Sequence, residues 1–374
     1  MKVDNLRLVS FRTYEVLDVS FPAGPQVVVG PNATGKTNLL EALVVLGTAR
    51  SHRASLDGEL ISWGADFARI ECALGSSAVE ILMTRMASGG ARKRVLVNGV
   101  PRRPTALATV APVVLFAPED MLLIVGSPTL RRAALDTLIA QTVPAASATM
   151  SNYARALTQR NNLLRAVRDG LAAPDELHYW DAVVVDDGAQ IVDWRRAALA
   201  ALAAPLAAAH REIAPDEETL ELRYLTKAEP LEGESTRDAL RRRLADTAEK
   251  EQWTGVTLAG PHRDDACFVT GSRDLSAYAS RGQQRTAILA FKLAELEVLH
   301  AAHGRPPLLL LDDVFSELDP QRRAHLVRRI GELPQAFVTT TTTDDLDRAL
   351  VDAATVWQVS PGRLEPSLTG GRAL

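Results

Sequence analysis

One segment constrains this chain more than any other. Gly30-Pro31-Asn32-Ala33-Thr34-Gly35-Lys36-Thr37 fits the pattern G-x-x-x-x-G-K-[ST]. The β-branched run Val27-Val28-Val29 before it reads as a buried parallel strand. After it, residues 38–46 turn helical, with Leu39, Leu40, Leu43 and Leu46 on one side. Strand, glycine turn and helix in that order make a phosphate cradle. Bringing a concave set of backbone N–H groups up to an anion needs a glycine-rich turn. The helix start adds partial positive charge. The loop and Asn38 are therefore expected to bind a nucleotide. Lys36 would reach the β- and γ-phosphates, and the Thr37 hydroxyl would ligate Mg²⁺.

A partner motif lies far along the chain. Pro306-Pro307 precedes Leu308-Leu309-Leu310-Leu311-Asp312-Asp313, a second buried strand ending in two carboxylates. Carboxylates leaving a parallel strand arrive at the edge of the sheet where the phosphate loop lies. Asp312 is expected to hold Mg²⁺, and Asp313 to take the proton of the attacking water, with Lys36 completing the catalytic set.

Between these lies Ser280-Arg281-Gly282-Gln283, ahead of a helix carrying Ile288, Leu289, Phe291 and Leu293. Ser280 suits the N-cap of that helix. Phosphate loop, Ser-x-Gly-Gln, then apolar strand and Asp is the order of an ABC-type ATPase. In such proteins this segment serves the γ-phosphate held by a partner protomer. Ser316-Glu317-Leu318-Asp319 has the spacing of the loop that crosses the dimer interface, with Ser316 and Asp319 as its candidate residues. Thr339 to Thr343 stand where transporters place a switch histidine; Thr340 or Thr341 is expected near the γ-phosphate.

The rest of the chain fixes the architecture. Leu6 and Leu8, then Val16, Val19 and Phe21, are spaced for half-buried strands, and residues 22–25 for a turn. Residues 66–100 alternate like an antiparallel meander, with Asn98-Gly99 as a hairpin turn. From residue 127 to 254 the texture becomes Ala-, Leu- and Arg-rich and helical, with an alanine-rich helix interrupted at Pro205. The expected fold is α/β: an ABC-type ATPase head, a mixed β-sheet with flanking helices, built from residues 1–126 and 255–374. A mostly helical lobe, 127–254, is inserted between them. Residues 361–374 read as a frayed tail.

Composition excludes little more. No apolar stretch reaches membrane-helix length. The two cysteines, Cys72 and Cys267, form no CxxC pair and read as buried small hydrophobes in a reducing cytosol. Net charge is −4, so a nucleic-acid surface would have to be local. The candidates are Arg92-Lys93-Arg94, Arg102-Arg103, Arg131-Arg132, Arg195-Arg196 and Arg241-Arg242-Arg243.

Several segments together resemble the bacterial RecF family of recombination mediators, SMC-like ABC ATPases. They are Leu8-x-x-Phe11-Arg12, residues 30–42, Ser51-His52-Arg53, Phe116-x-Pro118-Glu119-Asp120, Arg131-Arg132-x-x-x-Asp136, Gln159-Arg160-Asn161-x-Leu163-Leu164, Gly260-Pro261-His262-Arg263-Asp264-Asp265, Ser280-x-Gly282-Gln283, and residues 311–319. Thr34 departs from the glutamine common there, at a position that offers mainly backbone. The resemblance implies a slow, DNA-stimulated ATPase that dimerises on ATP. It implies binding to duplex DNA near gaps or single-strand junctions, help in loading the recombinase during DNA repair, replication and the SOS response, and RecR and RecO as partners. It also brings Arg12 toward the nucleotide, leaves Arg53 open between a phosphate contact and a plain surface arginine, and places Glu119 where related ATPases have their Q-loop.

Two other readings compete. A transporter ATPase subunit would carry the switch histidine and a Glu at the base position. A non-catalytic clamp would bind ATP without using it; the Asp312-Asp313 pair speaks against that.

Overall fold

A computed structural model describes residues 1–87 and 89–367, and the chain divides into two compact units. The first comprises Met1–Met121, Ala209–Asp216 and the chain from Arg285 onward; the second comprises Leu122–Ala208 and Glu217–Gln284.

Two six-stranded sheets build the first unit. One is antiparallel, in the order Tyr14–Ser20, Asn5–Phe11, Phe67–Leu74, Ser77–Arg85, Ala91–Val97, Val100–Arg102. Its last hairpin turns at Asn98 and Gly99, both with positive φ (53° and 75°), the backbone that an Asn-Gly turn supplies. The other sheet runs Arg363–Pro366, Thr355–Ser360, Gly24–Val29, Gln335–Thr340, Leu308–Asp312, Val113–Phe116. All of its pairings are parallel except that of the edge strand Arg363–Pro366. Its central strands Leu308–Asp312 and Gln335–Thr340 are buried along their length, as in a sheet covered on both faces.

The helix Lys36–Thr48 belongs to one apolar core with strands of both sheets. Leu39, Leu40, Leu43 and Leu46 join Leu6, Leu8, Ile70, Ile81, Leu310 and Phe337. That core fixes the phosphate-loop strand against its neighbours.

The second unit holds the helices Pro128–Thr142, Ala146–Arg168 and Thr236–Thr254, and the first thirty-one residues of the helix His178–Ile213. The expected break at Pro205 does not occur: the helix continues through it. Leu202 and Leu206 on either side are fully buried, and their packing outweighs the lost hydrogen bond.

The expected boundary at 254/255 is also shifted. Asp265–Thr270 pairs antiparallel with Leu220–Leu225 and with Arg273–Asp274, so residues 255–284 stay with the helical unit. Strand–helix alternation there marks a small separate sheet rather than a return to the head. Of the segment expected to fray, Arg363–Pro366 is a strand; residues 368–374 lie outside the described residues. Cys72 is buried, whereas Cys267 is only half-buried.

Candidate functional site

The parallel sheet aligns three chain segments at the carboxyl ends of adjacent strands. Gly24–Val29 leads into the phosphate loop, Leu308–Asp312 ends on a carboxylate, and Gln335–Thr340, between them, ends on two threonines.

Two glycines shape the loop for steric reasons. A Cβ at Gly30 would meet the Val359 carbonyl oxygen at 2.7 Å. Gly35 has φ +113°, and a Cβ there would stand 3.0 Å from the Tyr14 hydroxyl, which itself donates to the Gly35 carbonyl at 3.1 Å. Ala33 takes a left-handed φ of 65°. Pro31, Asn32 and Ala33 are exposed, and Thr34 is buried, its hydroxyl donating to Pro31 O at 2.8 Å. No side chain caps the following helix at Gly35, so its first N–H groups stay open toward the loop.

Lys36 is expected to face solvent, but it is only 7% exposed. Its ammonium donates to Gly30 O at 2.6 Å and Pro31 O at 3.0 Å, folded back across the turn. Burial lowers its pKa; the carboxylates of Asp313 and Asp312 oppose that shift.

Thr37 Oγ1 donates to Asp312 Oδ1 at 3.2 Å, across 275 residues of sequence. The same oxygen accepts the Thr339 hydroxyl at 2.6 Å. Asp313 follows with φ +52°, a left-handed conformation outside glycine. Its N–H donates to Thr339 O at 3.2 Å and Thr339 Oγ1 at 3.1 Å. Burial raises the pKa of the Asp313 carboxyl; Lys36 opposes this, while Asp312, Asp345 and Glu317 reinforce it.

Other expected residues take different stations. The Arg12 guanidinium grips Glu41 through two nitrogens at 2.8 and 2.7 Å, and a third donates to Glu59 O at 3.0 Å. Arg12 is thus paired to a buried carboxylate. Burial alone would raise the pKa of fully buried Glu41, but hydrogen bonds from Arg12 and Ser51 carry it below the usual range. Asn38 donates to Thr13 at 3.0 Å, and Arg53 to Asn38 at 3.4 Å. Thr340 is buried with its hydroxyl on Thr342 O at 2.8 Å, whereas Thr341 is exposed. Asp319 caps the helix Pro320–Gly331 and pairs with Arg322; Ser316 is exposed, its hydroxyl on Asp313 O at 2.8 Å.

Ser280 and Gln283 form a reciprocal cap. Ser280 Oγ accepts the Gln283 N–H at 3.3 Å, and Gln283 Oε1 accepts the Ser280 N–H at 3.0 Å. Ser280, Arg281 and Gln283 are exposed, and Gly282 is half-buried.

Sequence reasoning missed Thr339 as the residue touching both aspartates, and Glu41 as the anchor of Arg12. A lone carboxylate within the apolar run of residues 39–46 was a readable signal for Glu41. Thr339 gave none, because a threonine run reads equally well as plain strand.

The model of the RecF/RecN/SMC N terminal domain matches residues 2–362. A DNA replication and repair protein RecF from Halalkalibacterium halodurans is 37% identical over 369 residues, covering 98% of this chain and 99% of that one. The chain belongs to the RecF family. A RecF from Bacillus subtilis is 37% identical over 372 residues, covering 97% of this chain and 100% of its own. Among solved structures, the recombination mediator protein RecF of the RecFOR pathway, as RecF-ATP, superposes with a TM-score of 0.87 at 29% identity, over 98% of this chain and 97% of that one. The Smc head domain from Pyrococcus furiosus matches at TM-score 0.52 and 16% identity, covering 98% of this chain and 95% of that one, which shows the ABC-type head fold alone. RecF relatives thus match the chain over nearly its whole length. Among the described residues no helix is long and apolar enough to cross a membrane.

Proposed function

We propose that this chain is an ATP-switched, DNA-binding ATPase of recombinational repair. The hydroxyl–carboxylate pair of Thr37 and Asp312, 3.2 Å apart, with Asp313 beside it, carries the reading. Two hard oxygen donors at the foot of a phosphate loop suit Mg²⁺, which takes its remaining ligands from water and the nucleotide. Thr37 and Asp312 would hold the ion there, and it would supply positive charge beside the phosphates. The backbone of residues 30–37 holds the phosphates, and Lys36 swings from its carbonyl partners to the β- and γ-oxygens. Asp313 accepts the proton of the attacking water, and burial, which raises its pKa, makes it a more basic acceptor than a free carboxylate.

Ser280, Arg281 and Gln283 stand exposed at a helix start, where this segment would meet the γ-phosphate on a second copy, with Ser316 near the joint. Two copies would close two identical sites, so ATP drives dimerisation and ADP does not. The RecF relatives are named for DNA replication, repair and the RecFOR pathway; the proposed role is cytoplasmic, on duplex DNA near gaps or junctions. There the dimer assists recombinase loading with RecR and RecO. Light scattering with ATP, with ADP and without nucleotide, each with and without duplex DNA, tests the reading. A mass that doubles only with ATP is expected; one that ignores nucleotide overturns it.

A further inference from the structure

The five arginine clusters read from the sequence are not equivalent once their partners are known. In the second unit, Arg131 forms a two-pronged pair with Asp265 at 2.8 Å, and Arg132 donates to Asp264 O at 2.7 Å. Arg195 is buried on Asp136 at 2.8 and 2.9 Å, and Arg196 pairs with Glu229 at 3.1 Å. Arg241 pairs with Asp238 and Arg242 with Glu234, both at 2.7 Å, and Arg243 is half-buried with its Nε unpartnered. Each of these cationic runs is largely neutralised by its own unit.

The first unit keeps the exception. Residues 81–118 contain no Asp or Glu, yet they carry Arg85, Arg92, Lys93, Arg94, Arg102 and Arg103. Arg85 is folded onto backbone carbonyls, and Lys93 onto Ala49 O and Asp57. Arg92, Arg94, Arg102 and Arg103 are all exposed, and among the described residues none of their side chains has a hydrogen-bond or ion-pair partner. They sit on one hairpin at the sheet edge, Ala91–Val97 with Val100–Arg102, in which Val95 is paired with Arg102. Arg92 and Arg94 share one face, about 7 Å apart at two strand rises. Arg102 stands on the adjoining edge strand opposite Val95, hence on the other face of the hairpin from Arg94, and Arg103 follows it.

Four unneutralised guanidiniums on the two faces of one edge hairpin concentrate positive charge at that edge in the free protein. An anionic lattice offsets that charge. Duplex DNA offers a charge about every 1.7 Å of axis, so cations at this spacing always find phosphates in reach. A single strand would need aromatic platforms for its bases, and residues 81–115 contain no Phe, Tyr or Trp. We propose that the Arg92–Arg94–Arg102–Arg103 hairpin is the surface of this chain that contacts the phosphate backbone of duplex DNA. The inference rests on the DNA-binding reading above and deepens it by naming the surface involved. It predicts sequence-independent, strongly salt-dependent binding, because the hairpin offers phosphate contacts and nothing that reads base edges.

The test uses the full-length protein with ATP and Mg²⁺ and a fluorescein-labelled 30-base-pair duplex, followed by anisotropy over a salt series. The variants are Arg94→Gln/Arg102→Gln and, as a control on neutralised clusters, Arg196→Gln/Arg241→Gln. ATP affinity is measured in parallel and is expected to be unchanged in both. The hairpin variant is expected to flatten the log–log salt slope by about 0.9 for each phosphate it no longer neutralises, and the control to leave it as in wild type. An unchanged slope in the hairpin variant, with wild type binding normally, overturns the assignment while leaving DNA binding intact. Wild type that fails to bind any duplex overturns the DNA-binding reading itself, and the assignment with it. Equal weakening in hairpin and control variants also overturns it, since net charge rather than place would then govern binding.

Discussion

The Thr339 hydroxyl donates to Asp312 Oδ1 at 2.6 Å and accepts the backbone N–H of Asp313 at 3.1 Å. One fully buried side chain thus orients the expected metal ligand and holds the backbone of the expected base. Thr339→Val keeps the shape and removes the hydroxyl. A hydrogen bond to a charged group is worth about 1.5–3 kcal/mol, so a melting experiment should show a loss of that order. Mg²⁺-dependent ATP turnover should fall, and Thr339→Ser should restore it. If Val and Ser variants turned over ATP alike, Thr339 would be only a strand residue.

Lys36→Met should abolish tight nucleotide binding. The folded-back side chain adds a cost that the motif alone does not suggest. Lys36 closes the loop by donating to Gly30 O and Pro31 O, so its removal should lower stability by about 1–2 kcal/mol. Fluorescence titration with ATP and a urea melt check the two halves. Normal hydrolysis in this variant would move the phosphate site elsewhere.

Asp313→Asn should bind ATP and hydrolyse it about 10²–10⁴ times more slowly, the usual effect of losing a general base. Position 313 has φ +52°, and Asn tolerates that region as well as Asp does. The fold should therefore hold, and a slow variant would report chemistry rather than unfolding. Turnover equal to wild type would shift the base to another carboxylate, such as Glu317.

How much of this is legible in the sequence differs by element. The phosphate loop, the Leu308–Asp312 strand and the Asn98-Gly99 turn each combine a local pattern with a local reason, and each stands where expected. The Pro205 break and the return to the head after residue 254 rest on local punctuation, and tertiary packing overrides both. The stations of Lys36, Glu41, Arg12 and Thr339 are unreadable for another reason. Their partners lie on other strands or turns, and no spacing along one element encodes such pairings.

The second unit should weaken as pH falls below neutrality. Burial lowers the His262 pKa to about 4, with Arg263, Arg132 and Arg160 adding to that and the Thr257 carbonyl opposing it. Its ring sits 2.6 Å from the Tyr153 hydroxyl. A histidine whose folded pKa lies below its unfolded value takes up a proton on unfolding. Its stabilising contribution is complete above the unfolded value, about 6.5, and is lost as pH falls toward 4. Burial raises the Asp264 pKa, so the folded state holds that proton more tightly and this group opposes the decline as pH falls. Chemical denaturation at pH 7.5, 6 and 5 should show the decline, flattened in His262→Gln. Parallel curves for the two proteins would rule His262 out as the titrating group.

Dimerisation offers the sharpest test of the trans site, and the capping geometry decides which variant to use. Ser280→Arg would block the joint, but it would also remove the N-cap at a cost of about 1 kcal/mol. Ser280→Asp avoids the confusion. Aspartate caps a helix as well as serine does, so the fold and the Gln283 partnership should persist. Its carboxylate would stand where the γ-phosphate of the partner's nucleotide must arrive, and two negative charges at close range oppose closure. The phosphate loop lies in the other half of the composite site and is untouched. ATP affinity measured by fluorescence should therefore match wild type. Mass by light scattering should stay monomeric with ATP, where wild type doubles. A ligand shifts an equilibrium only by its differential affinity for the two states, so wild type with ADP, lacking the γ-phosphate, should also remain monomeric. A Ser280→Asp protein that dimerised with ATP, or a wild type that dimerised equally with ADP, would mean that the γ-phosphate is not shared between copies.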